Sequence, residues 1–233
     1  MDVLTARFHN GERLYCRTVS AVLLADVLDI PPPPARLHAD WRREITQQMD
    51  LQPGDIDTLP LGRTRLRWPQ LQSCVAAVEQ WLGALGVPDV LGSAEMALMG
   101  SRGTPYHHDG AQYGGAAFCN LFLSAGSAVD FHFPAAGHRL ALGPGTVVVF
   151  DTCQPHALIR RGARGFAAAD FAGADQVPLV FLTWELPISH AAIAQRLGIR
   201  LEGEHCAGAP DAPPGLLRNG ALATLCPRTG EWT

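Results

Sequence analysis

The chain has 233 residues, of which 47% are hydrophobic and 17% charged, so it can bury a sizeable core and is too apolar to be disordered throughout. Its formal net charge is −4, which argues against a nucleic-acid partner because such proteins usually carry a basic face. All 18 basic residues are arginine, so chemistry that needs a lysine amine is excluded, and a bound anion would meet arginine, backbone N–H groups or a metal.

The N-terminal segment and the cysteines bear on where the protein works. The first residues contain no apolar stretch typical of a secretory signal, and no apolar run in the chain is long enough to span a bilayer. The six cysteines are scattered without close pairs, which predicts free thiols in a reducing compartment. We therefore expect a cytoplasmic protein with no membrane partner.

Residues 1–93 are predicted to form a helical or mixed support region. Residues 19–28 could form a short helix or a strand, and the four prolines at 31–34 favour a stiff polyproline II connector. A polar helix is predicted at 39–49. The clearest helix is predicted at 69–85, because its apolar residues repeat at three- and four-residue steps between a proline suited to a first helical turn and a glycine suited to a stop.

Residues 94–187 are predicted to form the β-rich core of the chain. Short apolar runs are separated there by clusters of Gly, Pro and Ser, and many short strands joined by turns indicate a sandwich or barrel. The C-terminal region, 188–233, is predicted to contain a helix at 189–197 and a tail without assignable structure. The predicted strands lie at 94–99, 116–123, 129–133, 139–142, 146–150, 156–160 and 177–186.

Three titratable side chains stand together between two of these predicted strands, at His107, His108 and Asp109. Residues i and i+2 of an extended chain point to the same side, so His107 and Asp109 would face one point while His108 faces away. His156 follows a strongly apolar predicted strand, which a rolled-up β architecture can bring beside the first. Two imidazoles and one carboxylate form the facial triad of non-haem Fe(II) oxygenases. We therefore predict that His107, Asp109 and His156 bind a metal.

The sequence between about residues 96 and 164 resembles the 2-oxoglutarate- and Fe(II)-dependent dioxygenase superfamily, nearest in pattern to its prolyl-hydroxylase-like branch. In such proteins a strand, a turn and a second strand lead to the second histidine of the triad. The pieces that match are His107-x-Asp109, the segments 118–123 and 130–133, and the pattern L-x-L-x-P-G-x-x-x-x-F-D over 140–151 followed by His156.

The resemblance implies a mainly β fold with flanking helices, a double-stranded β-helix (jelly roll, cupin-like) that holds the metal inside one end. It also implies an enzyme that uses Fe(II), 2-oxoglutarate and O2 to hydroxylate an unactivated C–H bond of a small molecule or an amino-acid-type substrate. Another facial-triad enzyme on a cupin-like barrel, a 2-oxoglutarate-independent dioxygenase or a hydrolase, is one alternative. A prolyl or peptidyl hydroxylase acting on a protein is a second, and a binding protein without turnover is disfavoured by the intact triad.

The resemblance further implies a basic residue after the second histidine, which binds the far carboxylate of 2-oxoglutarate. Arginine suits this role because it can pair with a carboxylate through two parallel hydrogen bonds. Arg164 is the favoured candidate and Arg160 the next, while Arg139 or Arg102 could serve from another strand. Since the chain has no lysine, neutral donors are the remaining way to hold this group.

Other side chains near the triad have open assignments. Asn120 lies on a predicted strand where the family often places a polar contact to the cosubstrate, although packing in the core explains it equally well. Tyr106 and Arg102 are candidate substrate contacts, and a buried aromatic is the alternative for Tyr106. His108 is expected beside the metal site or facing solvent.

Overall fold

The computed structural model describes residues 3–124, 128–173, 177–203 and 214–233. None of the helices in these ranges is long and apolar enough to cross a membrane. Helices α1 to α5 span Ala35–Arg43, Leu61–Arg67, Leu71–Ala84, Gly110–Tyr113 and Ala191–Leu197. Short π- and 3-10-helical turns occur at Glu44–Gln48, Val90–Ser93 and Ala168–Phe171. Strands β1 to β15 span Leu4–Asn10, Arg13–Thr18, Leu24–Val27, Ile56–Leu59, Met96–Ser101, Thr104–His107, Ala116–Ser124, Val129–Phe133, His138–Ala141, Thr146–Asp151, His156–Arg160, Leu179–Pro187, Leu201–Gly203, Gly215–Arg218 and Ala221–Leu222.

Strands β5 to β12 form two facing antiparallel sheets. Each strand of the first half of this run pairs with its counterpart from the second half, β5 with β12, β6 with β11, β7 with β10 and β8 with β9. The chain is therefore wound as a two-stranded ribbon, divided between a larger sheet of order β3-β10-β7-β12-β5-β4 and a smaller sheet of order β6-β11-β8-β9. This arrangement is the double-stranded β-helix, so the predicted fold class is confirmed.

The larger sheet is buried on both faces, which explains the nearly continuous apolar runs of its central strands. Cys119 and Leu121 of β7 face outward and belong to one core cluster with residues of α1 and α3, including Trp41. Phe122 of the same strand faces inward, where its ring lies 6.2 Å from that of Phe131 on the smaller sheet. The helices therefore cover the outer face of the larger sheet, while aromatic side chains fill part of the space between the two sheets.

Most predicted elements of the core agree with the structure. The helix predicted at 69–85 is confirmed as α3, and each strand predicted between 94 and 186 overlaps an observed strand. The polar helix predicted at 39–49 begins earlier, as α1, and ends in a π-helical turn. Of the two alternatives for 19–28, the strand is correct, because β3 extends the larger sheet beside β10.

A third sheet joins strands from before and after the barrel, in the order β13-β2-β1-β14-β15. The sequence analysis did not predict its β1–β2 hairpin, although Gly11 is the first of the two turn residues and has a φ of +62°, a conformation that favours glycine. The C-terminal tail, which had no predicted structure, supplies β13, β14 and β15. Residues 1–93 thus contribute strands β1 to β4 as well as helices α1 to α3.

Cysteine pairing departs from the prediction at one position. Cys16 is disulfide-bonded, so the expectation of free thiols is wrong there. The other cysteines in the described ranges, Cys74, Cys119, Cys153 and Cys226, are free. The spacing of the cysteines along the chain did not reveal the bond at Cys16.

Candidate metal centre

His107, Asp109 and His156 converge at one end of the barrel. His107 ends β6 and His156 begins β11, and the two residues are paired across these antiparallel strands. The carboxylate oxygens of Asp109 lie 3.6 Å from Nε2 of His107 and 3.4 Å from Nε2 of His156. One potential ligand atom from each residue lies within 4.8 Å of the others, as a shared metal would require. The structure thus brings together the three residues that the sequence singled out.

Both histidines are oriented by backbone carbonyls. Nδ1 of His107 lies 2.8 Å from the carbonyl oxygen of Pro105, and Nδ1 of His156 lies 2.8 Å from that of Gln154. A carbonyl oxygen can only accept, so each Nδ1 carries the proton and donates it. Each Nε2 is therefore the ring nitrogen directed at the centre of the triad, and it would bind a metal through its lone pair once its proton has been lost, which is the usual arrangement for a metal-binding imidazole.

The protonation states of the triad suit a cation. Burial, and then the positive charge of His156, lower the pKa of His107 to about 4. Burial by itself raises the pKa of the Asp109 carboxyl, but the hydrogen bond with His156 and the charges of the neighbouring histidines outweigh it, so the pKa lies below its ordinary value. A metal binds neutral imidazole and ionised carboxylate, and these are the forms that His107 and Asp109 hold at neutral pH.

A buried ion pair connects the two loops that carry the triad. Arg17 and Asp151 are fully buried, and two guanidinium nitrogens of Arg17 donate to the two carboxylate oxygens at 2.7 and 2.6 Å. Nε of Arg17 also donates to the carbonyl of Gly114, which follows the loop of Asp109, at 2.7 Å. The Asp151 carboxylate in turn accepts the backbone N–H of Cys153 in the loop before His156, at 2.8 Å. The sequence carries no local signal for Arg17, and this contact was not predicted.

Thr152 and Gly110 bring the same two loops into close contact. The carbonyl of Thr152 accepts the backbone N–H of Asp109 at 2.8 Å. The Thr152 hydroxyl lies 2.7 Å from the carbonyl oxygen of Tyr113 and 2.8 Å from that of Ala116. A Cβ atom at Gly110 would lie only 2.7 Å from Sγ of Cys153, so this position has no room for a larger residue. The segment after Asp109 is therefore fixed against the segment before His156.

The triad opens into a cavity of about 440 Å³ between the two sheets. This volume lies within the range of small-molecule sites, roughly 300–1,000 Å³. Alternate residues of β4, β5, β7 and β12 line it from the larger sheet, as expected for side chains that share one face. The larger apolar side chains of the lining are Ile56, Met99, Phe118, Phe122, Phe131, Phe150, Leu158 and Phe181, and the polar residues besides the triad are Thr58, Glu95, Thr104, Gln112, Tyr113, Asn120, Thr183 and Glu185.

Asn120 is the one predicted cosubstrate contact that the structure brings to this cavity. Its side chain is 5% exposed, and its Oδ1 atom has no hydrogen-bond partner. Buried polar atoms are nearly always hydrogen-bonded in folded proteins, so an unpartnered carbonyl oxygen inside a cavity requires an explanation. Packing alone does not provide one, because a leucine would fill similar space without the polar atom.

The arginines predicted to bind 2-oxoglutarate or substrate lie elsewhere. Arg164 is exposed in the turn that follows β11, and Arg160, the last residue of β11, is not part of the cavity lining. Arg102 donates to two backbone carbonyls at 2.7 Å, and Arg139 pairs with a buried aspartate at 3.4 Å. Within the described ranges, the cavity is lined by no arginine at all. The chain turns at Gly162, with a φ of +79°, and the side chain of Arg164 is exposed beyond this turn.

Tyr106 and His108 also lie away from the cavity lining. Tyr106 is buried with Ala157 and Ile159, and its hydroxyl lies 2.6 Å from Nδ1 of His132. The alternative of a buried aromatic therefore describes Tyr106 better than a substrate contact. His108 is partly buried, and its Nδ1 has no hydrogen-bond partner.

Comparison with known proteins finds distant likenesses only. No protein-family model matches the sequence, and no curated protein matches it either. Among solved structures, a prolyl 4-hydroxylase from Pseudomonas putida is 16% identical, with a TM-score of 0.41, over 71% of this chain and 92% of its own. A viral collagen prolyl hydroxylase from Paramecium bursaria Chlorella virus-1 is 11% identical, with a TM-score of 0.40, over 71% and 88%. An oxidoreductase of the 2OG-Fe(II) oxygenase family from Burkholderia pseudomallei is 12% identical, with a TM-score of 0.32, over 64% and 90%.

Proposed function

We propose that this chain is a mononuclear non-haem Fe(II) oxygenase in which His107, Asp109 and His156 bind the metal. It would oxidise a C–H bond of a small or amino-acid-type molecule, with 2-oxoglutarate and O2 as cosubstrates. One observation carries the proposal: two imidazoles and one carboxylate converge at the end of a jelly roll and open into a cavity. This ligand set leaves coordination positions free, and iron bound there supplies the activation of dioxygen.

The protein's own contribution is to hold the ligands and to exclude water. The ring of His156 lies 5.0 Å from that of Phe150 and 5.6 Å from that of Phe131, so one side of the site is aromatic. Excluding water protects reactive species from side reactions and strengthens electrostatic contacts inside the site. No separate acid or base is needed for this role, and we assign none.

The described residues offer three ligands for the metal that 2-oxoglutarate would chelate, but they offer no arginine for the far carboxylate of 2-oxoglutarate. A 2-oxoacid can occupy two of the free coordination positions, but the described lining offers no arginine to the other end of the molecule. Neutral donors remain at the amide of Asn120 and the hydroxyls of Thr104 and Thr183. We propose that these groups hold the far carboxylate. Neutral donors lack the positive charge and the two parallel N–H groups that arginine offers to a carboxylate, so we expect weak 2-oxoglutarate binding.

A second candidate function follows from the same observation. A facial-triad dioxygenase that works without 2-oxoglutarate needs the three ligands and the cavity, but needs no group for a far carboxylate. The absence of arginine from the described lining favours this candidate. Both candidates make the same prediction for the metal and differ only in the cosubstrate.

An anaerobic titration separates the two. Fe(II)-loaded protein is titrated with 2-oxoglutarate and followed by visible absorption, where chelation of Fe(II) by the 2-oxoacid gives a weak charge-transfer band. The proposal predicts a saturable band in the parent and none in Asp109→Ala. Arg164→Ala, exposed and outside the cavity, serves as a matched control and should give the parental band. An iron-loaded parent without any band would exclude 2-oxoglutarate and leave the second candidate.

A further inference from the structure

Two glutamates, Glu95 and Glu185, lie beside each other on the cavity side of the larger sheet. The backbone N–H of Glu185 on β12 donates to the carbonyl of Glu95, the residue before β5, at 3.2 Å. The two residues are therefore neighbours across adjacent antiparallel strands. Both line the same cavity as the metal-binding residues. We refer to them as the glutamate pair.

The glutamate pair has no cationic partner in the part of the chain that the structure describes. The ion pairs found there involve other carboxylates, those of Asp40, Glu44, Asp109, Asp130 and Asp151. Like charges on directly neighbouring strands destabilise a sheet. Burial, and then the charge of Glu95, raise the pKa of Glu185. This side of the cavity therefore carries negative charge that no described cation of the protein neutralises.

Asn120 supplies an independent indication of a ligand at the same surface. Thr183 of β12 is paired with Asn120 of β7, and Glu185 lies two residues further along the same face of β12. Asn120 and Glu185 are thus diagonal neighbours, with their Cα atoms about 7–8 Å apart. The Oδ1 atom of Asn120 is a buried acceptor without a partner, and it faces the cavity together with the glutamate pair. All three residues thus present hydrogen-bond acceptors to the cavity, and a ligand could supply the donors.

We infer that the cavity takes a substrate with a positively charged nitrogen, an ammonium or guanidinium group, which donates to the carboxylates of Glu185 and Glu95. A further N–H or O–H of the substrate donates to Oδ1 of Asn120, and its apolar part packs against the phenylalanines that line the cavity. The inference rests on the proposed function in treating the ligand as a substrate. The binding of a cation by the glutamate pair does not depend on the metal.

The test uses three phenyl compounds of similar size and different charge. Benzylammonium, benzyl alcohol and benzoate are titrated into Fe(II)-loaded protein under anaerobic conditions, with binding measured by calorimetry. A charge-assisted hydrogen bond donated by an ammonium group to a partly buried carboxylate corresponds to about tenfold to a hundredfold in affinity. We therefore expect benzylammonium to bind at least about tenfold more tightly than benzyl alcohol, and benzoate more weakly than either. Equal affinity for the amine and the alcohol would overturn the inference.

Variants locate the effect. Glu185→Gln should remove most of the preference for the amine, and Glu95→Gln, whose side chain is more exposed, should reduce it by about two- to fivefold. Glu79→Gln, an exposed glutamate on α3, is the matched control and should keep the parental preference. Circular dichroism checks that each variant is folded. A preference that survives in both cavity variants would place the amine elsewhere and contradict the inference.

The same titration on metal-free protein separates this inference from the proposed function. If the parent binds no iron but still prefers benzylammonium through Glu185, the proposed function fails and the cation site stands. If iron binds as proposed but the three probes bind alike, the oxygenase stands and the cation site fails. An amine that binds only to the iron-loaded protein, and equally in Glu185→Gln, is a metal ligand and counts against the inference.

Discussion

The two sides of the cavity differ in whether the polar groups that face it have hydrogen-bond or ion-pair partners within the protein. On the metal side, the imidazoles of His107 and His156 donate to backbone carbonyls, and the loops behind them are joined by the ion pair of Arg17 and Asp151. On the opposite side, Glu185 has no cationic partner and Oδ1 of Asn120 has no partner at all among the described residues. The two imidazole rings that must be held still are thus hydrogen-bonded by the protein itself, although Nδ1 of His108 and the side-chain amide of Gln154 in the same loops have no partner. Groups left unsatisfied inside a cavity are available to a ligand.

Removing Arg17 should have the largest effect. Arg17→Met leaves the Asp151 carboxylate buried without its cation, which costs about 3–5 kcal/mol in the free energy of unfolding. Urea denaturation measures this loss. Because the variant also frees the loops around Asp109 and His156, its iron content should fall below that of the parent.

A control on the surface and a double variant sharpen this prediction. Arg63 pairs with Glu44 at 2.7 Å, but its side chain is 53% exposed, so Arg63→Ala should cost less than about 1 kcal/mol. Arg17→Met combined with Asp151→Leu removes both buried charges, and should be less destabilised than Arg17→Met alone. If Arg17→Met were as stable as the parent, the ion pair of Arg17 and Asp151 would not stabilise the metal side of the cavity.

Gly110 tests how closely the two loops must approach. In Gly110→Ala the new methyl group would meet Sγ of Cys153 at 2.7 Å, and overpacking of this kind costs about 1–3 kcal/mol. Gly83→Ala is the matched control, because a Cβ atom there meets nothing within 4 Å inside helix α3. The control should be neutral or slightly stabilising, by up to about 1 kcal/mol. Thermal unfolding of the two variants in parallel gives the comparison, and equal stability would argue against close contact at Gly110.

The smallest changes in the free energy of unfolding are expected from one substitution on each side of the cavity, and the two substitutions should differ in their effect. Thr152→Val removes a hydroxyl that is hydrogen-bonded on the metal side and should destabilise the fold by about 1–3 kcal/mol. Asn120→Leu removes an unpartnered buried oxygen and should leave stability within about 1 kcal/mol of the parent, or raise it. Urea denaturation of both variants measures the difference. If Asn120→Leu is the more destabilised of the two, its amide is satisfied in the folded protein and the contrast between the sides is wrong.

The features that sequence revealed are those with a local physical signal. His107 and Asp109 are two residues apart on an extended segment, so their side chains are predicted to share one face. The strands of the barrel are predicted from apolar runs separated by turn residues. Arg17 and Asp151 lie far apart in the chain, so only the fold shows their contact. The chain turns at Gly162 after β11. The position of Arg164 in the sequence, eight residues after His156, therefore does not reveal that its side chain is exposed. The β1–β2 hairpin carries a local signal in Gly11, the first residue of its two-residue turn, and was therefore predictable from the sequence.

Iron stoichiometry tests the proposed metal centre most directly. Parent protein and its variants are loaded with Fe(II) without oxygen, desalted and assayed by plasma emission. We predict about one iron per chain in the parent and in His138→Ala, whose histidine is exposed, and almost none in His107→Ala, Asp109→Ala or His156→Ala. His108→Ala should keep its iron. A parent without iron, or full iron content in any of the three triad variants, would contradict the proposed metal centre.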